Sequence, residues 1–115
     1  MLTLILPWPD PALSPNHRSR WGKVKAVNAA RWEACVLAKE AGVQMRPGLV
    51  KMSLTFYPPD KRQYDLDNLG ARCKAAIDGV FQALELDDHC IVELRYIRGR
   101  ICKGGSVEMR IVEAK

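Results

Sequence analysis

The residues best equipped for chemistry stand together at Asp65-Leu66-Asp67-Asn68, where two carboxylates are separated by one residue. In an extended segment, side chains at i and i+2 leave the same side of the backbone. Two oxygens that close can share a hard cation such as magnesium (Mg2+), which takes carboxylates and keeps several waters. Asp87 and Asp88 add acids downstream. Taken alone, Asp and Asn at a helix entrance usually cap it and favour its dipole, and an acidic turn is ordinary. The acids point to a metal only in company.

Other motifs are excluded. An EF-hand loop begun at Asp65 needs an oxygen ligand at its fifth position and Glu at its twelfth; those positions are Leu69 and Ala76. An aspartyl-phosphate site follows directly from a buried strand, whereas Lys61-Arg62-Gln63-Tyr64 precedes Asp65. Gly104-Gly105 lacks the companions of a phosphate-cradling loop. Lys74 adds weight to the acids. On one continuous helix, residues 67, 74 and 78 lie within about 20° of a common line. Long helical side chains lean toward the N-terminus, which turns Lys74 toward the acids, where it could stabilise charge on a phosphate. Its bland alternative is a solvated lysine paired with Asp78.

These residues need elements to position them. Leu2 to Leu6 reads as a strand closed by Pro7-Trp8-Pro9. Asp10 to Val24 reads as a long loop. Asn28 is placed to cap a helix over Ala29 to Ala41 that stops at Gly42. Leu49 to Tyr57 is a strand, and Asp60 to Tyr64 a charged connector. A second helix is expected from Asp67 to Leu84, with Leu69, Cys73, Ile77, Val80 and Leu84 on one face. Ile91 to Arg98 and Ser106 to Glu113 alternate like strands, and around Gly99 to Gly105 they read as a hairpin. The fold class is therefore α/β (α+β): one domain over residues 1–115, in the order β-α-β-α-β-β, with a mixed four-stranded sheet and two helices.

Composition narrows the partners. The 115 residues suit a single domain, and 48% apolar content argues against wholesale disorder. With 18 Lys+Arg against 13 Asp+Glu, the net charge of +5 favours a polyanion. Cys35, Cys73, Cys90 and Cys102 have no C-x-x-C spacing and, with His17 and His89, complete no zinc pattern. They read as small hydrophobes of a reducing compartment. The apolar start is too short for a signal peptide, and no apolar run reaches the roughly 20 residues of a membrane span. A cytoplasmic protein with no membrane partner is expected.

In order along nearly the whole chain, these features resemble the RusA family of Holliday junction resolvases. The match runs from Pro7-Trp8-Pro9, through the basic stretch Asn16 to Lys23 and a helix, to Tyr57-Pro58-Pro59-Asp60-Lys61-Arg62. Asp65-Leu66-Asp67-Asn68-Leu69, Lys74-Ala75-Ala76-Ile77-Asp78, Asp87-Asp88 and Lys103-Gly104-Gly105 complete it. The resemblance implies a homodimeric, magnesium-dependent endonuclease that resolves four-way junction DNA by paired symmetric cuts, in recombination and repair. Such resolvases are often carried by prophages. By position, the essential aspartates are Asp65, Asp67 and Asp88, with Asp87 a neighbouring metal ligand and Asn68 helping to order that turn. The family lysine stands four residues after the second Asp, which is Ala71 here. Lys74 is its counterpart one turn on, displaced by about 4.5 Å of helical rise, and Arg72 is the fallback. Phosphate contacts would come from Arg18, Arg20, Lys23 and Lys25, from Lys61 and Arg62, and from Arg98, Arg100 and Lys103, each equally an ordinary solvated side chain. Trp21 either stacks on a base or packs. The alternative function is a non-catalytic or differently specific branched-DNA-binding protein of the same fold, which the shifted lysine favours.

Overall fold

A period of two decides which side of each strand is buried. In the computed structural model, which describes residues 1–15, 17, 19–42 and 44–114, β1 (Leu2–Pro7) buries Leu2, Leu4 and Leu6 and exposes the residues between them. A short 3-10 turn, Pro11–Leu13, follows, capped by Asp10, whose Oδ1 accepts from the Ala12 amide at 2.8 Å.

The first long helix, α1, spans Arg20–Ala41, nine residues earlier than the sequence suggests. Its cap is Ser19, whose Oγ accepts from the Gly22 amide at 3.2 Å; Asn28 lies inside the helix. The reason is compositional. Trp21, Val24 and Trp32 are exposed, and the packed stripe falls on Ala26, Ala30, Ala34 and Ala38. Alanine at i+4 spacing favours a helix without marking an apolar face. Gly42, at φ 66°, ends α1.

β2 (Val50–Tyr57) buries Val50, Met52, Leu54 and Phe56. The expected second helix is two helices, α2 (Leu66–Arg72) and α3 (Lys74–Leu84), broken at Cys73 with φ −89° and ψ 0°. There the Cys73 amide bonds to the Gly70 carbonyl at 3.0 Å, a tighter closure than the α-helical bond. The common line drawn through 67, 74 and 78 therefore does not hold, because Lys74 opens a new helix. Leu69, Cys73, Ile77 and Val80 are buried as expected, with Leu84 half-buried.

β3 (Ile91–Arg98) and β4 (Ser106–Glu113) complete a sheet of order β1-β4-β2-β3. β4 is antiparallel to β1 and to β2, and β3 is parallel to β2. The expected β3–β4 hairpin is thus absent: β2 lies between them. The connection after β3 instead follows the end of β2, with the Gly99 amide on the Phe56 carbonyl and the Cys102 amide on the Pro58 carbonyl, both at 2.8 Å. It turns at Gly104 and Gly105, φ 83° and 70°. A Cβ on Gly105 would stand 3.0 Å from Trp8 and from Pro59, so the turn passes close beside both.

The core lies between one sheet face and the helices. Leu54, Phe56, Met109 and Ile111 meet Leu69, Ile77, Val80 and Phe81 there, while Lys51 and Arg110 point to the open face. This is a two-layer α+β domain with a mixed four-stranded sheet. Two glycines set the helix layer. A Cβ on Gly79 would come 2.2 Å from the Arg31 carbonyl, which fixes how closely α3 crosses α1. A Cβ on Gly70 would meet the Tyr96 ring at 2.3 Å, which seats α2 on β3. The four cysteines are free; Cys35 and Cys73 are buried and Cys90 half-buried, but Cys102 is exposed on the connection, contrary to its expected role as a small hydrophobe. No helix of the described residues is long and apolar enough to cross a membrane.

Candidate active site

The approach to the acid pair is held rigidly. Tyr64 packs edge-on against Trp8 with ring centroids 5.1 Å apart, and its hydroxyl donates to Asp60 Oδ1 at 3.1 Å. Arg98 donates to the Tyr64 carbonyl at 2.6 Å. The next residue, Asp65, caps α2: its Oδ1 accepts from the Asp67 amide at 2.9 Å. The capping role is real and engages one of the two carboxylate oxygens. Asp67 is exposed in the first turn of α2. Asn68 bonds elsewhere than to the acidic turn, donating to Ser14 Oγ and accepting from Arg72 Nε, both at 2.9 Å. It thereby ties α2 to the 3-10 turn.

The second acidic group is brought back by a chain reversal. Glu85, at φ 57°, ends α3, and the Leu86 amide bonds to the Phe81 carbonyl at 3.0 Å, the six-to-one closure of a Schellman ending. Residues 85–88 then run back along α3. Asp88 Oδ2 meets Lys74 Nζ at 2.7 Å, and Asp78 Oδ1 meets the same ammonium at 2.9 Å. Lys74 donates to Asp88 and so holds that carboxyl below its ordinary value; its own pKa is raised by Asp88 first and Asp78 second. The expected Lys74–Asp78 pair therefore occurs, and Lys74 also meets Asp88; among the described residues its ion pairs are with these two acids and not with Asp65 or Asp67.

Asp87 caps the next turn through Oδ1, which accepts from the His89 amide at 3.0 Å and also lies 3.0 Å from His89 Nδ1. Asp87, Asp88 and His89 offer ligand atoms all within 4.8 Å of one another. Among the described residues this is the one cluster of three such side chains, and Asp65 and Asp67 lie outside it. Carboxylate oxygens are the donors that a hard divalent cation takes, so the acids suit magnesium in kind.

The basic candidates are spread unevenly. Arg20 and Lys25 are exposed on the first turns of α1 rather than on a loop, as is Trp21. Lys61 and Arg62 are exposed, and Arg62 Nε lies 3.7 Å from Asp60. Arg100 sits over the Tyr57 ring, 5.9 Å from its centroid, and Lys103 is exposed in the turn before β4. Arg18 falls outside the described residues. Lys23 lines an open groove of about 330 Å³ with Arg31, Arg72, Lys74 and Asp78. Arg31 was not legible as a site residue. No sequence spacing marks it; it joins Lys23 only through the groove that both line on α1.

The chain is 38% identical to an uncharacterised protein of Xylella fastidiosa, over 96% of its own length and 76% of that protein's. It is 32% identical to the crossover junction endodeoxyribonuclease RusA of Escherichia coli K12, over 96% and 93% of the two chains. A protein of the same name from Shigella sonnei matches equally, at 32% over the same shares. No family model matches the chain.

Proposed function

The chain belongs to the RusA family of crossover junction endodeoxyribonucleases, and on that premise we propose that it is a cytoplasmic, homodimeric, magnesium-dependent endonuclease that resolves four-way junction DNA by paired cuts. Asp65, Asp67 and Asp88 hold the metal, with Asp87 beside them. When bound, magnesium supplies an activated water and neutralises charge on the scissile phosphate. Lys74 presents its ammonium to the phosphate or the leaving oxygen, and Asp78 holds it there. Lys23, Arg31 and Arg72, around the groove that reaches Lys74, bind flanking phosphates by charge alone.

One observation carries this reading: the 2.7 Å contact of Lys74 with Asp88. It supports Lys74 as the family lysine despite its shifted sequence position, since a cation and an acid of the motif meet across α3. A labelled synthetic four-way junction tests the proposal, with wild type and Asp67→Asn compared in Mg2+ and in chelator. Paired symmetric nicks, lost in chelator and in the variant, support it. Tight junction binding with no cutting under any divalent metal overturns it and leaves a branched-DNA-binding protein.

A further inference from the structure

β3 forms one edge of the sheet and, among the described residues, pairs with β2 alone. A free edge is a row of unpaired amides and carbonyls, and proteins usually blunt it with charged side chains, lysine above all, with proline, bulges or a covering segment; β3 carries Glu93, Arg95 and Arg98 and an irregularity at its start. β3, Ile-Val-Glu-Leu-Arg-Tyr-Ile-Arg, contains neither lysine nor proline. Three of its apolar residues are instead left in water: Val92 is 52% exposed, Leu94 43% and Ile97 42%, while Ile91 and Tyr96 are half-buried against the core. Leu94 stands opposite the buried Met52, on the face that the helices cover. It is exposed because the sheet stops there.

The order of residues is self-complementary about Leu94. We infer that β3 pairs antiparallel with β3 of a second copy of this chain, about a twofold axis at Leu94, joining two four-stranded sheets into one of eight. In that register Glu93 faces Arg95 of the second copy, Arg95 faces its Glu93, Val92 faces Tyr96, and Leu94 meets itself. Opposite charges directly across a pair stabilise it and like charges oppose it. Centring the axis on Glu93 or on Arg95 would set like charges face to face. Centring it on Val92 would set Glu93 against Ile91, and on Tyr96 would set Arg95 against Ile97. Only the Leu94 register satisfies both charges. A twofold contact requires this kind of self-complementarity. Within one chain Arg95 Nη2 already lies 3.3 Å from Glu93 Oε1, so pairing makes a ring of four alternating charges on the open face. On the covered face, Leu94 gains the apolar neighbour that it lacks. The register irregularity opposite Val50 and Lys51 makes Val92 the extra residue of β3, so the wholly regular part of the pairing is residues 93–95, with Val92–Tyr96 and Ile91–Ile97 reaching across the irregularity at its ends. This inference names the surface of the dimer proposed above and rests on that part of the reading, not on the nuclease chemistry.

Charge reversal tests it by sedimentation equilibrium on the full chain. Glu93→Arg and Arg95→Glu, taken singly, each place like charges across the axis and should weaken dimerisation by roughly tenfold or more. The double variant restores both opposite pairs across the axis, although Glu93→Arg sets a cation beside Lys51 within each chain, and should recover most of the wild-type constant. The Arg95 side chain is exposed and that of Glu93 half-buried, so circular dichroism verifies that each variant is folded. Single variants that dimerise like wild type overturn this interface while leaving the dimer standing. Failure of the double variant to recover overturns the Leu94 register. A wild type that stays monomeric at every concentration overturns the interface and the dimer together.

Discussion

Lys74 Nζ joins Asp78 Oδ1 at 2.9 Å and Asp88 Oδ2 at 2.7 Å, so one ammonium at the first residue of α3 fastens that helix to the turn returning from its far end. The Asp88 carboxyl is held low by this donor, and Lys74 is held high by its two acceptors. A depressed acid contributes above its ordinary range, and the contribution is lost as pH falls through the lowered value. A raised lysine contributes below its ordinary range, and the contribution is lost as pH rises through the raised value. The contact is therefore intact from mildly acidic to mildly alkaline pH. A carboxyl NMR titration in chelator should find the Asp88 midpoint below that of an ordinary aspartate, and Lys74→Met should move it up. A midpoint unchanged by the substitution would show that the two groups do not interact in solution.

The start of α1 separates two caps. Ser19→Ala removes the acceptor for the Gly22 amide and should cost about 1 kcal/mol, felt mainly as faster hydrogen exchange over the first turns. Asn28→Ala, inside the helix and exposed, should be neutral or slightly stabilising, by a few tenths of a kcal/mol at about the propensity difference. The reverse ranking in a denaturation series would put the helix start at Asn28.

Gly79→Ala tests the crossing of α1 and α3. The added methyl would stand 2.2 Å from the backbone carbonyl of Arg31, an atom that no rotamer change can move. Overpacking of this kind costs about 1–3 kcal/mol or more, which should outweigh the helix-propensity gain of about 1 kcal/mol. A lowered Tm is expected; an unchanged or raised Tm would mean that the helices part freely.

The groove beside Lys74 gives a binding prediction. If Arg31 contacts a phosphate, Arg31→Ala should weaken junction binding similarly across sequences and reduce the salt slope by about 1. Lys39→Ala, on the last turn of the same helix, serves as the control. Equal salt slopes for both variants and wild type would remove Arg31 from the interface.

What could be read from the residues was local in origin. The alternation of Leu2, Leu4 and Leu6 and of Val107, Met109 and Ile111, and the face of Leu69, Cys73, Ile77 and Val80, follow from side-chain periods that operate over a few residues. The cap at the entrance to α2 was legible because an Asp at a helix start is a local signal. The start of α1 was not, because its packed stripe is alanine and its large apolar residues face water. The break at Cys73 has no proline to announce it, and Gly70, inside the helical pattern, weakens a helix without fixing where it ends. Strand neighbours are decided by contacts distant in sequence. The alternating pattern of β3 and β4 is satisfied equally by pairing with each other or with β2 between them, and only the assembled sheet selects the second. The same holds for Lys74: its residue type and approximate place were local facts, but its partner Asp88 depends on a chain reversal at Glu85, which no periodicity encodes.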